Sequence, residues 1–190
     1  KVPNSNSNDA NIKEVIYKID KSLLERFINN QINGEYLCIC SGGTTSSCAK
    51  NNLITVDLRK KYNQIELNKE TGNISIGGGV LMGDLIKNLD KSNRTFPIGL
   101  STLPGIGYIL TGGISPLSRR YGLAIDNIVS VKGFLGNGEY FSLNEEKLIE
   151  EKEINLWEGI KGAAPFFSII TEIGLKTYKS YPIKIVEGFI

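Results

Sequence analysis

The stretch Cys40-Ser41-Gly42-Gly43-Thr44-Thr45-Ser46-Ser47 follows an apolar alternating run, Glu35-Tyr36-Leu37-Cys38-Ile39. Alternation of this kind is the mark of a strand, and a strand that stops in small, hydroxyl-rich residues leaves backbone N–H groups without ladder partners. Gly42 and Gly43 can take positive φ at no steric cost, so the loop can curl into a nest of donors for a diphosphate, to which Thr44, Thr45 and Ser46 add hydroxyls. A tight turn would use the same Gly-Gly pair, so the loop alone leaves both readings open.

Working outward, the N-terminal side carries Ile12, Val15, Ile16, Ile19, Leu23 and Phe27 at helical spacing, with Leu24 and Ile28 widening the stripe. This predicts an amphipathic helix of about 18 residues ending at Asn33-Gly34. Residues 1–10, rich in Asn and Ser, read as a disordered lead-in. On the C-terminal side Leu53–Leu58 is a second strand, so residues 11–60 form a small α/β lobe. Residues 61–180 have another texture. Strands at Ile65–Leu67 and Asn73–Ile76 flank a turn at Lys69-Glu70-Thr71-Gly72, and Val80–Leu89 reads as a helix after Gly77-Gly78-Gly79. Strands Ile128–Leu135 and Glu139–Leu143 flank Asn137-Gly138, a strong hairpin signal. A Glu/Lys-rich helix at Glu145–Glu151 and a strand at Ser168–Tyr178 complete a second lobe with an antiparallel sheet. The fold class is α+β.

Composition narrows the function. The 190 residues carry 22 Lys+Arg against 20 Asp+Glu, interspersed, which makes no stripe for nucleic acid. No run reaches the roughly 20 apolar residues of a membrane span. There is no histidine, which removes Ser-His triads and His-based zinc sites together. Cys38, Cys40 and Cys48 are an odd set, read as reduced, small packing residues of a cytoplasmic protein. The opening Lys1-Val2-Pro3, without Met, is expected of an internal fragment.

Glycine is clustered at 42–43, 77–79, 99–113 and 122. If these clusters meet in space, they keep backbone bare along a cleft, as a long ligand with a diphosphate requires.

In chain order stand Ser41-Gly42-Gly43-Thr44, Val56-Asp57-Leu58, Ile76-Gly77-Gly78-Gly79 and Leu81 with Gly83-Asp84-Leu85. Pro97-Ile98-Gly99, Gly105-Ile106-Gly107, Thr111-Gly112-Gly113 and Leu117–Leu123 follow, then Asp126–Val129, Asn137-Gly138-Glu139, Leu156-Trp157, Gly162-Ala163-Ala164 and Ile169–Glu172. This order of motifs resembles the vanillyl-alcohol oxidase / p-cresol methylhydroxylase (PCMH-type) flavoproteins, nearest to the berberine-bridge-enzyme-like branch.

The resemblance implies a two-lobed FAD-binding domain with the cofactor extended between the lobes. It places the diphosphate on Ser41, Gly42, Gly43, Thr44, Thr45 and Ser46. It places Thr102, Gly105, Ile106, Gly107, Thr111, Gly112, Gly113, Ile114 and Ser115 along the ribityl chain and ring system. Gly122 and Ile170 would lie near the adenine half or the ring edge, with Asp126 and Asn127 a structural turn and Tyr121 a packing residue. A small-molecule substrate is implied, no metal is expected, and residues 181–190 would begin a substrate domain, so that these residues alone would be inactive.

Departures from the family bear on how FAD is held. Many relatives carry a His bonded to the flavin 8α-methyl where this chain has Thr44, and some carry a Cys bonded to C6 where it has Leu100-Ser101-Thr102. Neither link can form here, so FAD would be noncovalent. The relatives' Arg is Cys40, Ser115 and Pro116 replace a smaller tract, and Phe166-Phe167-Ser168 adds bulk. These changes leave open a second reading, a degenerate non-catalytic module that serves as scaffold or partner surface. A stand-alone reductase like the related cell-wall precursor enzymes is a third.

Overall fold

The parallel strands on either side of the Ser41–Ser47 loop set the frame. In the computed structural model, which describes residues 2–30 and 36–181, β2 (Leu37–Cys40) pairs with β3 (Ile54–Asp57), and β3 pairs with β1 (Glu14–Ile16) on its other edge. All three strands are parallel, and α2 (Lys21–Asn30) reaches them through Leu24. Val56 and Leu58 from the sheet side pack with Ile19 and Leu24.

Two expectations for this lobe change. The helical stripe from Ile12 onward is not one helix: residues 14–16 are strand β1, and the helix begins only at Lys21. Val15 and Ile16 are β-branched and stiff at χ1, and each faces a partner on β3, Thr55 and Val56. The helix start is set by Asp20, whose Oδ1 accepts the Leu23 N–H at 2.9 Å. Asp20→Ala is expected to cost about 1 kcal/mol, read as a melting temperature lower by about 2–4 °C. The predicted stop at Asn33-Gly34 lies outside the described residues.

The lead-in is the second change. Residues expected to be disordered contain α1 (Ser5–Asn8), capped by Asn4 Oδ1 accepting the Ser7 N–H. Asn4 N–H also donates to Gly43 O at 3.0 Å, which joins this segment to the Gly-Gly loop.

The second lobe is built on a five-stranded antiparallel sheet in the order β4-β5-β9-β7-β8, from β4 (Ile65–Leu67), β5 (Asn73–Gly77), β7 (Ile128–Leu135), β8 (Tyr140–Asn144) and β9 (Ser168–Lys176). A small pair, β6 (Arg94–Thr95) with β10 (Tyr178–Lys179), lies apart from it. The β7–β8 turn is the predicted Asn137-Gly138 hairpin, with Gly138 at φ 83° and Asn137 Oδ1 accepting from Glu139 N–H. Ile74, Ile76, Val131, Ile173 and Leu175 bury one face of the sheet against Met82, Leu85 and Leu89 of α3 (Met82–Lys91) and Ile109 of α4 (Gly107–Leu110).

The helix expected at Glu145–Glu151 is displaced. Residues 145–147 make one 3-10 turn, with Asn144 Oδ1 accepting from Glu146 N–H, and α5 runs Glu151–Phe167. Glu151 and Glu153 place negative charge on the first turn of α5, where the helix dipole favours it. Gly162, at φ 118°, and Pro165 break its regularity, which is why the pattern did not announce a long helix.

Candidate functional site

The Gly-Gly loop sits where three glycine tracts touch. Ser41 Oγ donates to Gly78 O at 2.7 Å and accepts the Ile106 N–H at 3.2 Å. A Cβ on Gly42 would stand 2.1 Å from Gly105 N, and one on Gly105 would stand 2.4 Å from Gly42 N. Gly78 has the same relation to Ile170 O, at 2.2 Å, and Gly79 to Leu58 O, at 2.4 Å. Three of the four clusters, 42–43, 77–79 and 99–113, meet, while Gly122 lies against Asp126, and the physical reason differs from the one the sequence suggested. At 42, 78, 79 and 105 glycine is needed for backbone to lie on backbone. Gly107 and Gly112 are the ones that face open space, with nothing within 4 Å of an added Cβ.

Around this knot the loop keeps its donors. Among the described residues, no acceptor takes the N–H groups of Gly42, Gly43, Thr44 or Thr45. Gly43 is at φ 72°. Thr44, Thr45 and Ser46 are exposed, and Thr45 Oγ1 lies 3.1 Å from Ser47 Oγ. A run of unclaimed backbone donors beside exposed hydroxyls is the arrangement that takes a phosphate.

Pro104, the neighbour of Gly105, leads from the loop into a cleft of about 460 Å³ lined by Met82, Gly99, Leu100, Ser101, Pro104, Tyr108, Ile114, Ser115 and Pro116. Its floor is fixed by α3: Met82 N–H donates to Pro104 O at 2.8 Å and Gly83 N–H to Thr102 O at 3.0 Å. Tyr108 OH donates to Ile114 O, so the wall at 114 is tied to α4. Burial pushes the Tyr108 phenol up, which keeps it a neutral donor. Leu100 and Ile114, 81% and 78% exposed, make an apolar rim.

Of the residues singled out from the sequence, Ile114 and Ser115 line this cleft directly. Ser115 turns its Oγ to accept Leu117 N–H at 3.0 Å and closes the 115–118 turn. Thr111 Oγ1 donates to Gly107 O at 2.8 Å. Gly112 and Gly113 are at φ 124° and 75°, their carbonyls taking the Ile125 and Ala124 N–H groups. Thr102 packs its Cβ over Gly83, and Ile106 is buried. Gly122, at φ 76°, lies against Asp126, and the Ile170 side chain is in the core; neither lines the cleft. Asp126 and Asn127 form a turn, and Tyr121 stacks on Tyr178 with centroids 4.2 Å apart. Met82, Leu100, Pro104 and Tyr108 escaped the sequence reading, because an apolar residue on a cleft wall has the same signature as one in the core.

Beneath the loop lies a charged pair. Asp57 Oδ1 accepts from Arg59 Nε at 2.9 Å and Oδ2 from Nη2 at 2.7 Å. Burial alone would push the Asp57 carboxyl up, but the bonds from the Arg59 side chain and backbone and the guanidinium charge hold it low. Cys40 is 1% exposed, and burial pushes its thiol up to about 12 against the pull of Arg59. A positive charge therefore stands near position 40, clamped by Asp57. Phe166, expected to crowd the cofactor path, lies in a different groove, with Leu24, Phe27 and Ile28.

The loop of unclaimed donors thus packs through Gly42 on Pro104, one wall of the apolar-rimmed cleft. Residues 29–144 match the profile of a family described as FAD binding domain. The chain belongs to that family. A similar curated protein is (R)-6-hydroxynicotine oxidase of Paenarthrobacter nicotinovorans, 31% identical over 161 residues, covering 83% of this chain and 34% of the relative. FAD-linked oxidoreductase pgmH of Aspergillus terreus is 28% identical over 157 residues, covering 80% and 31%. Among solved structures, 6-hydroxy-D-nicotine oxidase from Arthrobacter nicotinovorans superposes with a TM-score of 0.77 at 26% identity, covering 94% of this chain and 42% of that one. The xylooligosaccharide oxidase of Myceliophthora thermophila C1 shares the fold, with a TM-score of 0.75 at 22% identity over 94% and 40%. The chain spans about a third of the length of the curated relatives it matches. As an FAD binding domain, it has the two-lobed α+β architecture expected of the PCMH-type flavoproteins.

The residues present fit FAD. The unclaimed donors of the 42–45 loop suit a diphosphate, and the cleft is apolar at its rim with polar backbone along its walls. The open space at Gly107 and Gly112 leaves room for a group to run between the two.

Proposed function

We propose that this chain is the FAD-holding part of a flavin-dependent oxidoreductase that oxidises a small molecule of alcohol, sugar or hydroxy-acid type. The observation that carries the reading is that the loop with unclaimed N–H groups at Gly42–Thr45 packs on Pro104 through Gly42, and Pro104 lines the cleft with Tyr108 and Ile114. The bound flavin would supply hydride acceptance; the protein holds and orients it.

Each residue has a part in that holding. The N–H groups of Gly42, Gly43, Thr44 and Thr45 take the diphosphate, with the exposed hydroxyls of Thr44, Thr45 and Ser46 beside them. Gly105, Ile106 and Gly107 run along the ribityl chain with Thr102, Thr111, Gly112 and Gly113. Ile114, Ser115 and Leu100, which line one cleft, would border the ring system. Tyr108 keeps the 114 wall in place through its bond to Ile114 O. With Thr44 at the first position of attachment and Leu100-Ser101-Thr102 at the second, the hold is noncovalent. No residue of the described chain is assigned a catalytic proton transfer.

FAD added to the purified protein should bind saturably. At a hundredfold excess over its dissociation constant it should add about 2.7 kcal/mol, a rise in melting temperature of roughly 5–10 °C. Acid precipitation should leave the flavin in the supernatant. Flavin in the pellet would contradict the noncovalent hold. No saturable binding would instead favour the degenerate module, in which Cys40, Thr44 and Ser115 have cost the fold its cofactor.

A further inference from the structure

The N-terminal segment reaches the Gly-Gly loop at two carbonyls, and each contact has a consequence on the other side of a peptide plane. Asn4 N–H donates to Gly43 O at 3.0 Å, and Ser7 Oγ donates to Thr45 O at 3.2 Å. In a trans peptide the carbonyl of one residue and the N–H of the next point in opposite directions across one rigid plane. Pinning Gly43 C=O on the N-terminal side therefore aims the Thr44 N–H away from it. Pinning Thr45 C=O does the same for the Ser46 N–H. Cys48 N–H adds a second bond to Thr45 O, at 3.3 Å, and strengthens that hold.

We propose that residues 2–9 are a positioning strap that sets the peptide planes of the diphosphate loop, so that the Thr44 and Ser46 N–H groups face the anion. The proposal rests on the FAD reading above and assigns the strap's working residues as Asn4, through its backbone, and Ser7, through its hydroxyl.

The strap is built to stay. Ser7 is 2% exposed, a buried hydroxyl whose one proton goes to the loop. Asn4 caps α1 by accepting Ser7 N–H at 3.1 Å, so the two contact residues are locked to each other. Val2 and Asn8 close the segment on itself, Val2 N–H donating to Asn8 Oδ1 at 2.7 Å. Val2 also packs on Gly43, its Cγ1 2.7 Å from where a Cβ would lie. Downstream, Asn11 N–H donates to Asn51 Oδ1 at 2.7 Å and Asn52 N–H to Asn11 O at 2.9 Å. Ser41 Oγ and the Gly42–Gly105 contact hold the start of the loop, but Gly43 brings no side chain to fix the plane that carries the Thr44 N–H. Preorganised donors cost no reorganisation when the anion arrives, which is what the strap would supply.

The test compares wild type with Ser7→Ala and with Asn4→Pro, whose φ of −76° suits proline while the N–H is lost, the latter read against Asn4→Ala, which loses the same α1 cap but keeps the N–H. Inorganic pyrophosphate is titrated with amide resonances as the readout, and FAD and riboflavin are titrated by fluorescence. Wild type should show pyrophosphate shifts at the Thr44 and Ser46 amides. Ser7→Ala should diminish the shift at Ser46 and Asn4→Pro that at Thr44. FAD binding should weaken roughly three- to tenfold in each, while riboflavin, which has no diphosphate, binds as in wild type. Should Asn4→Pro fail to fold, Ser7→Ala, which removes one oxygen and keeps the shape, decides the matter. The strap proposal is overturned if the variants bind pyrophosphate and FAD as wild type does, if they bind tighter, or if the Thr44 and Ser46 amides of wild type do not respond. Wild type that takes pyrophosphate at these amides and loses it in the variants, yet binds no FAD, would uphold the strap and reject the cofactor.

Discussion

Gly42→Ala is expected to destabilise the protein by about 3 kcal/mol, a fall in melting temperature of roughly 6–12 °C. The new methyl would lie 2.1 Å from Gly105 N and 2.8 Å from Pro104 C, both backbone atoms. That backbone cannot give way cheaply, because Pro104 O is held by Met82 N–H and Thr102 O by Gly83 N–H. Gly105→Ala fills the same gap from the other side, meeting Ser41 Oγ at 2.2 Å and Gly42 N at 2.4 Å. The double variant should therefore cost clearly less than the sum of the singles, since either methyl alone already forces the tracts apart. Gly107→Ala is the control: nothing lies within 4 Å of its added Cβ, and at the start of α4 alanine is the better helix former. Its melting temperature should hold or rise while FAD affinity falls. A Gly42→Ala protein that melts with wild type would mean that the lobes do not meet at this contact.

Asp57→Ala should cost about 3 kcal/mol, because it strips a half-buried guanidinium of the carboxylate that takes two of its bonds. The figure is at the low end for such a deletion, since the Arg59 side chain is 24% exposed. The pH dependence follows from the depressed Asp57 carboxyl. A group whose folded pKa is lowered stabilises the fold above its unfolded pKa, near 3.9, and that contribution is lost as pH falls through the folded value. The gap in melting temperature between wild type and variant should be full at pH 7 and should narrow below about pH 4. A gap of constant size down to pH 2 would assign the loss to packing and not to the charge.

What could be read in the sequence followed from local periodicity and turn chemistry. Strand β2 and the loop after it, the β4–β5 hairpin, and β7 with its Asn137-Gly138 turn are each marked by alternation bounded by Gly or Asn. Where two periods fit the same residues, the reading failed. Ile12, Val15, Ile16 and Ile19 satisfy a helical stripe, yet residues 14–16 are a strand because β3 offers them an open edge. That edge is formed by residues some forty positions away, and no local pattern reports it. The displaced helix at 145–151 has the opposite cause. Its Glu and Lys suit a helix, but Asn144 captures the Glu146 N–H in a 3-10 turn, and the capping pair of Glu150 and Glu153 starts the helix later.

The candidate site divides along the same line. The order of glycine tracts and the missing His and Cys at the attachment positions are properties of the chain as a string, and they were sufficient to place it among FAD-binding domains and to predict a noncovalent hold. Which glycines touch backbone and which face open space was decided only when residues 42, 78 and 105 came together. Likewise, no composition could tell that an Asn- and Ser-rich segment read as disorder is tied to the Ser41–Ser47 loop by Asn4 and Ser7. Residue type limits which contacts a position can make. Only the fold settles which of them are made, because a hydrogen bond or a van der Waals contact requires a partner at the right distance, and distance in space is not distance along the chain.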